Sequence, residues 1–254
     1  MRLRNRDGFT LVELLVVIAI IGVLAALILS GVSSTKGKAQ QIQCASNVRQ
    51  LGLALQGFVQ ANHVYPLDQN DDSKDSYPEH RRTWADALNR EEFGSPKTEL
   101  PWLTNGVWTC PAARWNTDNA AVNTMAIWFS YGYNWRGLNS PGNNGALGLG
   151  GRNVSASNFG LLPPPVAESE VIAPSDMTAI GDAFDGNPVL QRGSWSGMGK
   201  HGKYTLARHH GKASVVFCDG HVETPTLKFL FEDTSDDALV RWNRDHLPHR
   251  ERLK

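Results

Sequence analysis

The feature that most constrains this chain is an apolar run near its start. Between Leu14 and Leu29 no residue is charged or strongly polar, and counting from Phe9 only Thr10 and Glu13 interrupt the apolar segment. At about 1.5 Å rise per residue, a helix over this segment is roughly 30 Å long, which matches the hydrocarbon core of a bilayer. We therefore expect a transmembrane segment over residues 9–30.

The residues that flank this run set its orientation. Three arginines precede it, and positive residues stay on the cytoplasmic side, so the rest of the chain is expected outside the cytoplasm. A secretory signal peptide would begin in the same way but would carry its small-residue cleavage site after the run, where residues 30–34 could be read as one. Against this, Gly8 directly precedes the run and Glu13 lies within it. Because a buried charge costs on the order of 2.5 to 3.5 kcal/mol, Glu13 needs a partner, such as a new amino group on Phe9.

The segment GFTLVELLVVIAIIGVLAAL resembles the N-terminal cleavage and methylation segment of type IV prepilins and type II secretion pseudopilins. The resemblance implies that a prepilin peptidase removes residues 1–8 as a leader, cuts after Gly8 and methylates the amine of Phe9. It also implies that Glu13 pairs with the Phe9 amine of a neighbouring subunit during assembly. The alternative is a plain single-span anchor.

The composition of the chain says little more about its function. A chain of 254 residues with 41% hydrophobic and 20% charged residues fits one globular domain attached to one membrane segment. Removal of residues 1–8 takes away three Arg and one Asp, which leaves 22 positive against 24 negative residues. A nearly neutral mature chain gives no indication of nucleic-acid binding, and no cofactor is expected.

After the apolar run, hydrophobic residues recur every three or four positions, which predicts an amphipathic helix over 31–62. No proline interrupts residues 9–62, so both halves can form one helix, which we expect to end near Asn62, before Pro66. Residues 63–254 then form a globular head. The periodic residues are Ala39, Ile42, Ala45, Val48, Leu51, Leu55, Phe58 and Val59.

Three stretches of the head invite binding hypotheses. The acidic residues of 67–81 could bind calcium, but their spacing is not that of an EF-hand and a solvated loop explains them. The aromatic residues of 102–135 could form a sugar-binding platform, or could supply the core of a small, loop-rich domain. The glycine-rich stretch 139–165 lacks the Gly-Lys-Ser end of a phosphate-binding loop and is expected to be a surface loop.

Local signals predict several short elements. TWADALNR predicts a helix over 83–90 capped by Thr83, and the C-terminal segment predicts a helix that begins at Thr234 or Ser235. Residues 177–186 predict a strand that ends in a turn. Asp182, Asp185 and Asn187 at its end could bind calcium, although turn chemistry alone explains them.

The strongest signal in the C-terminal half is a predicted β-hairpin. Ser214–Cys218 and His221–Thr224 flank Asp219-Gly220, the preferred two-residue hairpin loop, whose positions both need positive φ. His209 stands ten residues before Asp219. This His-x9-Asp-Gly arrangement resembles the signature of a pilin-like subfamily named after it. In that subfamily a Cys-Pro pair and a Ser-Tyr-Gly-x-Asn strand also recur, here at Cys110-Pro111 and within 130–134.

The histidines of this region could bind a metal or take part in catalysis. A metal could in principle gather imidazole and carboxylate ligands here. However, the hairpin already explains Asp219 and Gly220, and a histidine at the strand entrance can bond the turn backbone, so a structural role is favoured. No serine lies in a nucleophile-elbow context, and we do not expect an enzyme. The candidate ligands are His201, His209, His210, Asp219 and His221.

Three cysteines allow at most one internal disulfide, in three possible pairings. Oxidation is permitted for a domain outside the cytoplasm. We expect Cys44 to pair with Cys110, which would tie the head to the long helix, because Cys218 lies in an alternating strand and looks buried. Three unpaired cysteines are the alternative.

These observations predict an α+β, pilin-like fold in which a long N-terminal helix, transmembrane in its first half, packs on an antiparallel sheet of roughly four strands with long loops. The expected function is that of a pilin-like or pseudopilin subunit, held in the inner membrane with its head outside the cytoplasm. Such a subunit would assemble into a type IV pilus or a type II secretion pseudopilus. The alternative is an anchored envelope protein whose aromatic and glycine-rich loops bind polysaccharide.

Overall fold

The computed structural model describes residues 10–67, 83–91, 93, 106–113, 130–138, 147–150, 164–183, 190 and 208–253. For residues 28–34, 90 and 91 it describes the backbone only. The predicted cleavage site at Gly8 and Phe9 lies outside the described residues. So do the acidic residues after Leu67, most of the glycine-rich stretch, Asp185, Asn187 and His201.

The long helix α1 spans Leu11–Asn62 and ends where the sequence predicts, directly before His63 turns into the left-handed region at φ 57°. A capping box closes its start, because the Thr10 hydroxyl accepts the Glu13 N–H at 3.3 Å. In return, Glu13 Oε2 accepts from the N–H of Thr10 at 2.8 Å and from its hydroxyl at 2.7 Å. Within the described part of the chain, no helix has both the length and the hydropathy needed to cross a membrane.

The chain divides into two compact units, Met1–Ala39 and Gln40–Lys254. In the first unit, the large aliphatic side chains between Leu11 and Leu27 are exposed. The second unit holds the sheet and the buried core.

A four-stranded antiparallel sheet confirms the predicted α+β class. Its strands are β1 (Tyr131–Tyr133), β2 (Thr178–Asp182), β3 (Val215–Phe217) and β4 (Val222–Glu223), and they pair in the order β1-β2-β3-β4. Among the shorter helices, α2 (Trp84–Glu91) is capped by Thr83 as predicted, and α3 (Asp236–Leu239) follows Ser235. Single turns of 3-10 or π helix cover Gly106–Trp108, Glu168–Glu170, Arg208–Gly211, Lys228–Glu232, Val240–Trp242 and Arg250–Leu253.

The β3–β4 hairpin forms, but with a different loop from the one predicted. Gly220 N–H donates to the Phe217 carbonyl at 2.9 Å, and Phe217 N–H donates to the His221 carbonyl at 3.0 Å, so three residues make the loop. Of these three, only Gly220 has positive φ, at 87°. The two-residue loop was therefore wrong: a three-residue loop with a left-handed glycine also accommodates Asp-Gly, and it requires positive φ at the glycine alone.

Side chains alternate between the two faces of the sheet, and both faces are covered. Val216 of β3 faces the core that α1 forms between Cys44 and Val59. Its neighbours Val215 and Phe217 face the C-terminal segment instead. Because successive strand residues point to opposite faces, one short apolar strand serves two cores. The C-terminal core residues include Leu227, Leu230, Phe231, Leu239 and Trp242.

The described aromatic rings of the predicted platform lie mostly in the core. Trp108, Tyr131 and Tyr133 are buried, and Trp84 of α2 stacks on Tyr133 with ring centroids 5.6 Å apart. Trp135 is half-buried. These rings support the core interpretation over a sugar-binding surface. Trp102, Trp115, Trp128 and Phe129 lie outside the described residues.

Candidate functional site

The first candidate site is the start of α1. Glu13 is exposed, and its Oε2 atom takes both hydrogen bonds from Thr10 of the same chain. The carboxylate therefore lies in the first helical turn, where the positive end of the helix dipole favours a negative charge. Its expected partner, the Phe9 amine, belongs to the residues that the structure does not describe.

The second candidate site is a buried cross-link between α1 and the segment before β1. The sulfur atoms of Cys44 and Cys110 are bonded, their Cα atoms are 5.2 Å apart, and 66 residues of sequence separate them. Amide hydrogen bonds flank the bond on both sides: Gln40 donates to the Pro111 carbonyl at 2.9 Å, and Asn47 donates to the Thr109 carbonyl at 2.9 Å. The helix is thus fixed to this segment at three successive levels.

Cys218, the third cysteine, is free and buried. Burial raises the pKa of its thiol to about 12, and a hydrogen bond from Tyr65 opposes this only in part. A thiol with so high a pKa forms little thiolate at neutral pH and is a poor nucleophile.

His209 lies beside the disulfide. Its Nε2 atom is 3.3 Å from Cys110 Sγ and 3.5 Å from Asp182 Oδ2, and the residue is buried. Burial lowers the pKa of His209, the Asp182 carboxylate opposes this, and Arg208 and His210 lower it further. Its backbone has φ 58° and that of His210 has φ 53°, a left-handed conformation that non-glycine residues rarely adopt.

Asp182 holds this cluster together from the end of β2. Its Oδ2 atom accepts the Ser214 N–H at 2.7 Å, and its Oδ1 atom lies 3.8 Å from a guanidinium nitrogen of Arg208, with both side chains buried. Arg208 also donates to the Ala183 carbonyl. The turn interpretation of Asp182 was therefore wrong, because the residue is a strand residue within a buried ion cluster. The other two residues of the calcium hypothesis, Asp185 and Asn187, lie outside the described residues. The signal available in the sequence was an acid inside an otherwise apolar strand.

The other residues of the His-x9-Asp-Gly motif lie elsewhere. Asp219 and His221 occupy the exposed hairpin, where His221 Nδ1 is 2.6 Å from Asp219 Oδ1. Gly220 packs on α1: Gln56 donates to the Asp219 carbonyl, and a Cβ at position 220 would lie 2.6 Å from Gln56 Oε1.

The described candidate ligands His209, His210, Asp219 and His221 do not come together as one group, in line with the favoured structural interpretation. The one group of three possible metal ligands that the described ranges bring together is Cys44, Cys110 and His209. Two of these residues were expected to form a disulfide and the third to have a structural role. Sequence reasoning could not connect them, because nothing local places His209 beside Cys110.

Comparisons with known proteins each cover about a quarter of the chain or less. Residues 3–29 match the family described as the prokaryotic N-terminal methylation motif. The type II secretion system core protein G of Aeromonas hydrophila is 39% identical over 69 residues, which are 27% of this chain and 48% of that protein. The Pseudomonas aeruginosa protein of the same name is 35% identical over 69 residues, 27% of this chain and 49% of its own length. That of Escherichia coli is 44% identical over 62 residues, 24% and 43% of the two chains.

This chain therefore spans about half the length of the relatives it matches. No solved structure matches it.

Proposed function

We propose that this prepilin-like chain is a pseudopilin, a subunit that is cut after Gly8, methylated on Phe9 and assembled from the inner membrane into a filament. The observation that carries the proposal is the methylation motif over residues 3–29, together with the likeness of about a quarter of the chain to core protein G of type II secretion systems. The proposed partners are a prepilin peptidase and other pilin-like subunits. The proposed role is mechanical.

The exposed surface of α1 supports a membrane anchor. Aliphatic side chains between Leu11 and Leu27 are exposed in the isolated chain, and contiguous apolar surface of this kind is normally covered by lipid or by another protein. We propose that lipid covers this surface before assembly, with the head outside the cytoplasm. Packed helices of neighbouring subunits would cover it in the filament.

The position of Glu13 supports its role in assembly. Cleavage after Gly8 would leave a new amino group on Phe9, four residues before a carboxylate whose described hydrogen bonds all come from Thr10. Pairing of this carboxylate with the amine of a neighbouring subunit would join two different surfaces of identical chains. A heterologous contact of this kind builds an open polymer and not a closed ring.

The processing step can be tested on the full-length chain, expressed with and without a prepilin peptidase. The mature N-terminus and the intact mass are then measured. We expect the loss of residues 1–8 and one added methyl group on Phe9. Gly8→Val should remain uncut, because a branched side chain stands beside the scissile bond. An uncut wild-type chain, or one cut near Ser34, would contradict the proposal and favour an anchored or secreted envelope protein.

The assembly step needs a variant that is still processed. Glu13→Gln removes the charge but keeps an oxygen that can accept from Thr10, so we expect normal cleavage and loss of incorporation into sheared filaments. Glu168→Gln is the matched control, since it removes an exposed charge from the head. Equal incorporation of both variants would exclude the proposed contact of Glu13.

A further inference from the structure

Three side chains with metal-binding atoms meet where α1 packs against the sheet. The Sγ atoms of Cys44 and Cys110 and a ring nitrogen of His209 all lie within 4.8 Å of one another, and all three residues are buried. The nitrogen nearest to sulfur is Nε2, 3.3 Å from Cys110 Sγ. Two sulfurs and one imidazole are a ligand set that zinc commonly uses.

We propose that this cluster is a redox-dependent zinc site, closed while the disulfide is intact and opened by its reduction. A dithiol reductant donates two electrons and two protons to the Cys44–Cys110 bond, which yields two thiols and the oxidised reductant. The zinc ion then displaces both thiol protons, which pass to solvent. It binds the two thiolates and Nε2 of neutral His209.

The geometry requires little rearrangement. Tetrahedral zinc with its usual bond lengths places sulfur and nitrogen ligands about 3.6 Å apart and two sulfurs about 3.8 Å apart. Cys110 Sγ and His209 Nε2 are already close to the first separation, at 3.3 Å. The two sulfurs must move apart once their bond is broken, and Cα atoms 5.2 Å apart leave room for this by side-chain rotation.

Asp182 balances the charge of the site from outside the ligand group, whose atoms all lie within 4.8 Å of one another. Its Oδ2 atom is 3.5 Å from the same nitrogen of His209. The charges also balance: two thiolates and one carboxylate carry three negative charges, and zinc with the neighbouring Arg208 carries three positive charges. Metal binding therefore places no net charge in the interior, where an uncompensated charge is costly.

The backbone at His209 points to the same assignment. Residues held in the left-handed region persist only where their surroundings enforce it. His209 and His210 both have this conformation, yet His209 is buried against Cys110, whereas His210 is exposed. The neighbour is therefore a matched control, with the same residue type and the same backbone but an exposed side chain.

The test uses the full-length chain in detergent, reduced with dithiothreitol, desalted without oxygen and titrated with Co²⁺ as a spectroscopic substitute for Zn²⁺. We expect one equivalent to bind, with a thiolate-to-cobalt charge-transfer band that zinc displaces. The unreduced chain should show no band. Cys110→Ser should lose the band, and Cys218→Ser, which changes the cysteine outside the cluster, should keep it.

The histidine pair separates a folded site from adventitious thiolate binding. His209→Asn, with a residue that tolerates the left-handed region, should weaken zinc binding by at least about tenfold, whereas His210→Asn should bind like the wild type. A reduced and unfolded chain would bind cobalt without distinguishing the two variants. Equal affinities of these variants, a band that depends on Cys218, or no band after reduction would each overturn the proposal.

Discussion

Gly52 of α1 lies directly against Val216 of β3, so close that a Cβ at position 52 would overlap the Cγ2 methyl of the valine. The helix can approach the sheet at this level only because residue 52 has no side chain. Val216 cannot turn away freely, since a β-branched side chain has few rotamers and this one is fully buried.

We therefore expect Gly52→Ala to destabilise the head. Overpacking of a filled core costs about 1 to 3 kcal/mol, and replacement of glycine by alanine within a helix offsets about 1 kcal/mol of this. The net loss in the free energy of unfolding should be about 0 to 2 kcal/mol, measured by urea unfolding of the full-length chain in detergent. Gly22→Ala is the control, because no heavy atom lies within 4 Å of a Cβ at that position. If Gly52→Ala unfolds at a higher urea concentration than the wild type, the close contact is not present in solution.

Gly220→Ala tests how the hairpin is attached to α1. Gly220 has φ 87°, where an alanine costs about 1 to 2 kcal/mol, and the new methyl would also displace Gln56 from the Asp219 carbonyl. A lost hydrogen bond adds about 1 kcal/mol. Gly211→Ala isolates the backbone cost, because Gly211 has φ 78° and nothing lies within 4 Å of its Cβ position.

The free energies of unfolding of Gly220→Ala and Gly211→Ala, measured with urea, should therefore differ by about 1 kcal/mol. This difference should disappear when Gln56→Ala is the common background, because the displaced hydrogen bond is then absent from both. A difference that persists without Gln56 would mean that the hairpin is held by other contacts.

Those elements that local sequence determines were predictable. The end of α1 at Asn62, the Thr83 cap and the strand over 178–182 follow from periodicity and capping signals that need only a few neighbouring residues. The hairpin was predictable for the same reason. Its loop was not, because Asp-Gly suits both a two-residue loop and a three-residue loop with a left-handed glycine.

Apart from the Cys44–Cys110 pair, the buried cluster could not be predicted, because its members come from four separate segments. Cys110 precedes β1, Asp182 ends β2, Arg208 and His209 form the turn before β3, and Cys44 belongs to α1. No periodicity links these positions, and a histidine beside an Asp-Gly hairpin suggests contact with the hairpin. Only the antiparallel pairing of β2 with β3, which brings Asp182 to the Ser214 N–H, places them together.

The stability of the head should fall as the pH drops below neutral, in part through His209. Burial holds the pKa of His209 below its ordinary value of 6.5, against the attraction of Asp182. The unfolded chain therefore takes up this proton at a higher pH than the folded chain does. The contribution of His209 to the free energy of unfolding is complete above about pH 6.5. It is lost as the pH falls from there towards the pKa of the folded state, by at most about 1.4 kcal/mol per pH unit.

His209→Asn checks this assignment, because other groups also titrate in this range. Urea midpoints of the wild type and the variant should be compared at about pH 7.5 and about pH 5.5. Between these two pH values, we expect the urea midpoint of His209→Asn to decrease less than that of the wild type. The midpoint of His210→Asn, which changes the exposed neighbour, should decrease like that of the wild type. Parallel decreases of all three proteins would assign the pH dependence to other groups.

Reduction of the Cys44–Cys110 bond should destabilise the head strongly in the absence of metal. A cross-link across 66 residues removes chain entropy from the unfolded state worth about 4 kcal/mol. We expect this loss in urea unfolding of the full-length chain with dithiothreitol and a chelator, relative to the oxidised chain. In Cys110→Ser, which has no cross-link, the reductant should have no effect, whereas Cys218→Ser should respond like the wild type. A wild-type midpoint that does not change on reduction would mean that α1 is held to the head by its packing and amide hydrogen bonds alone.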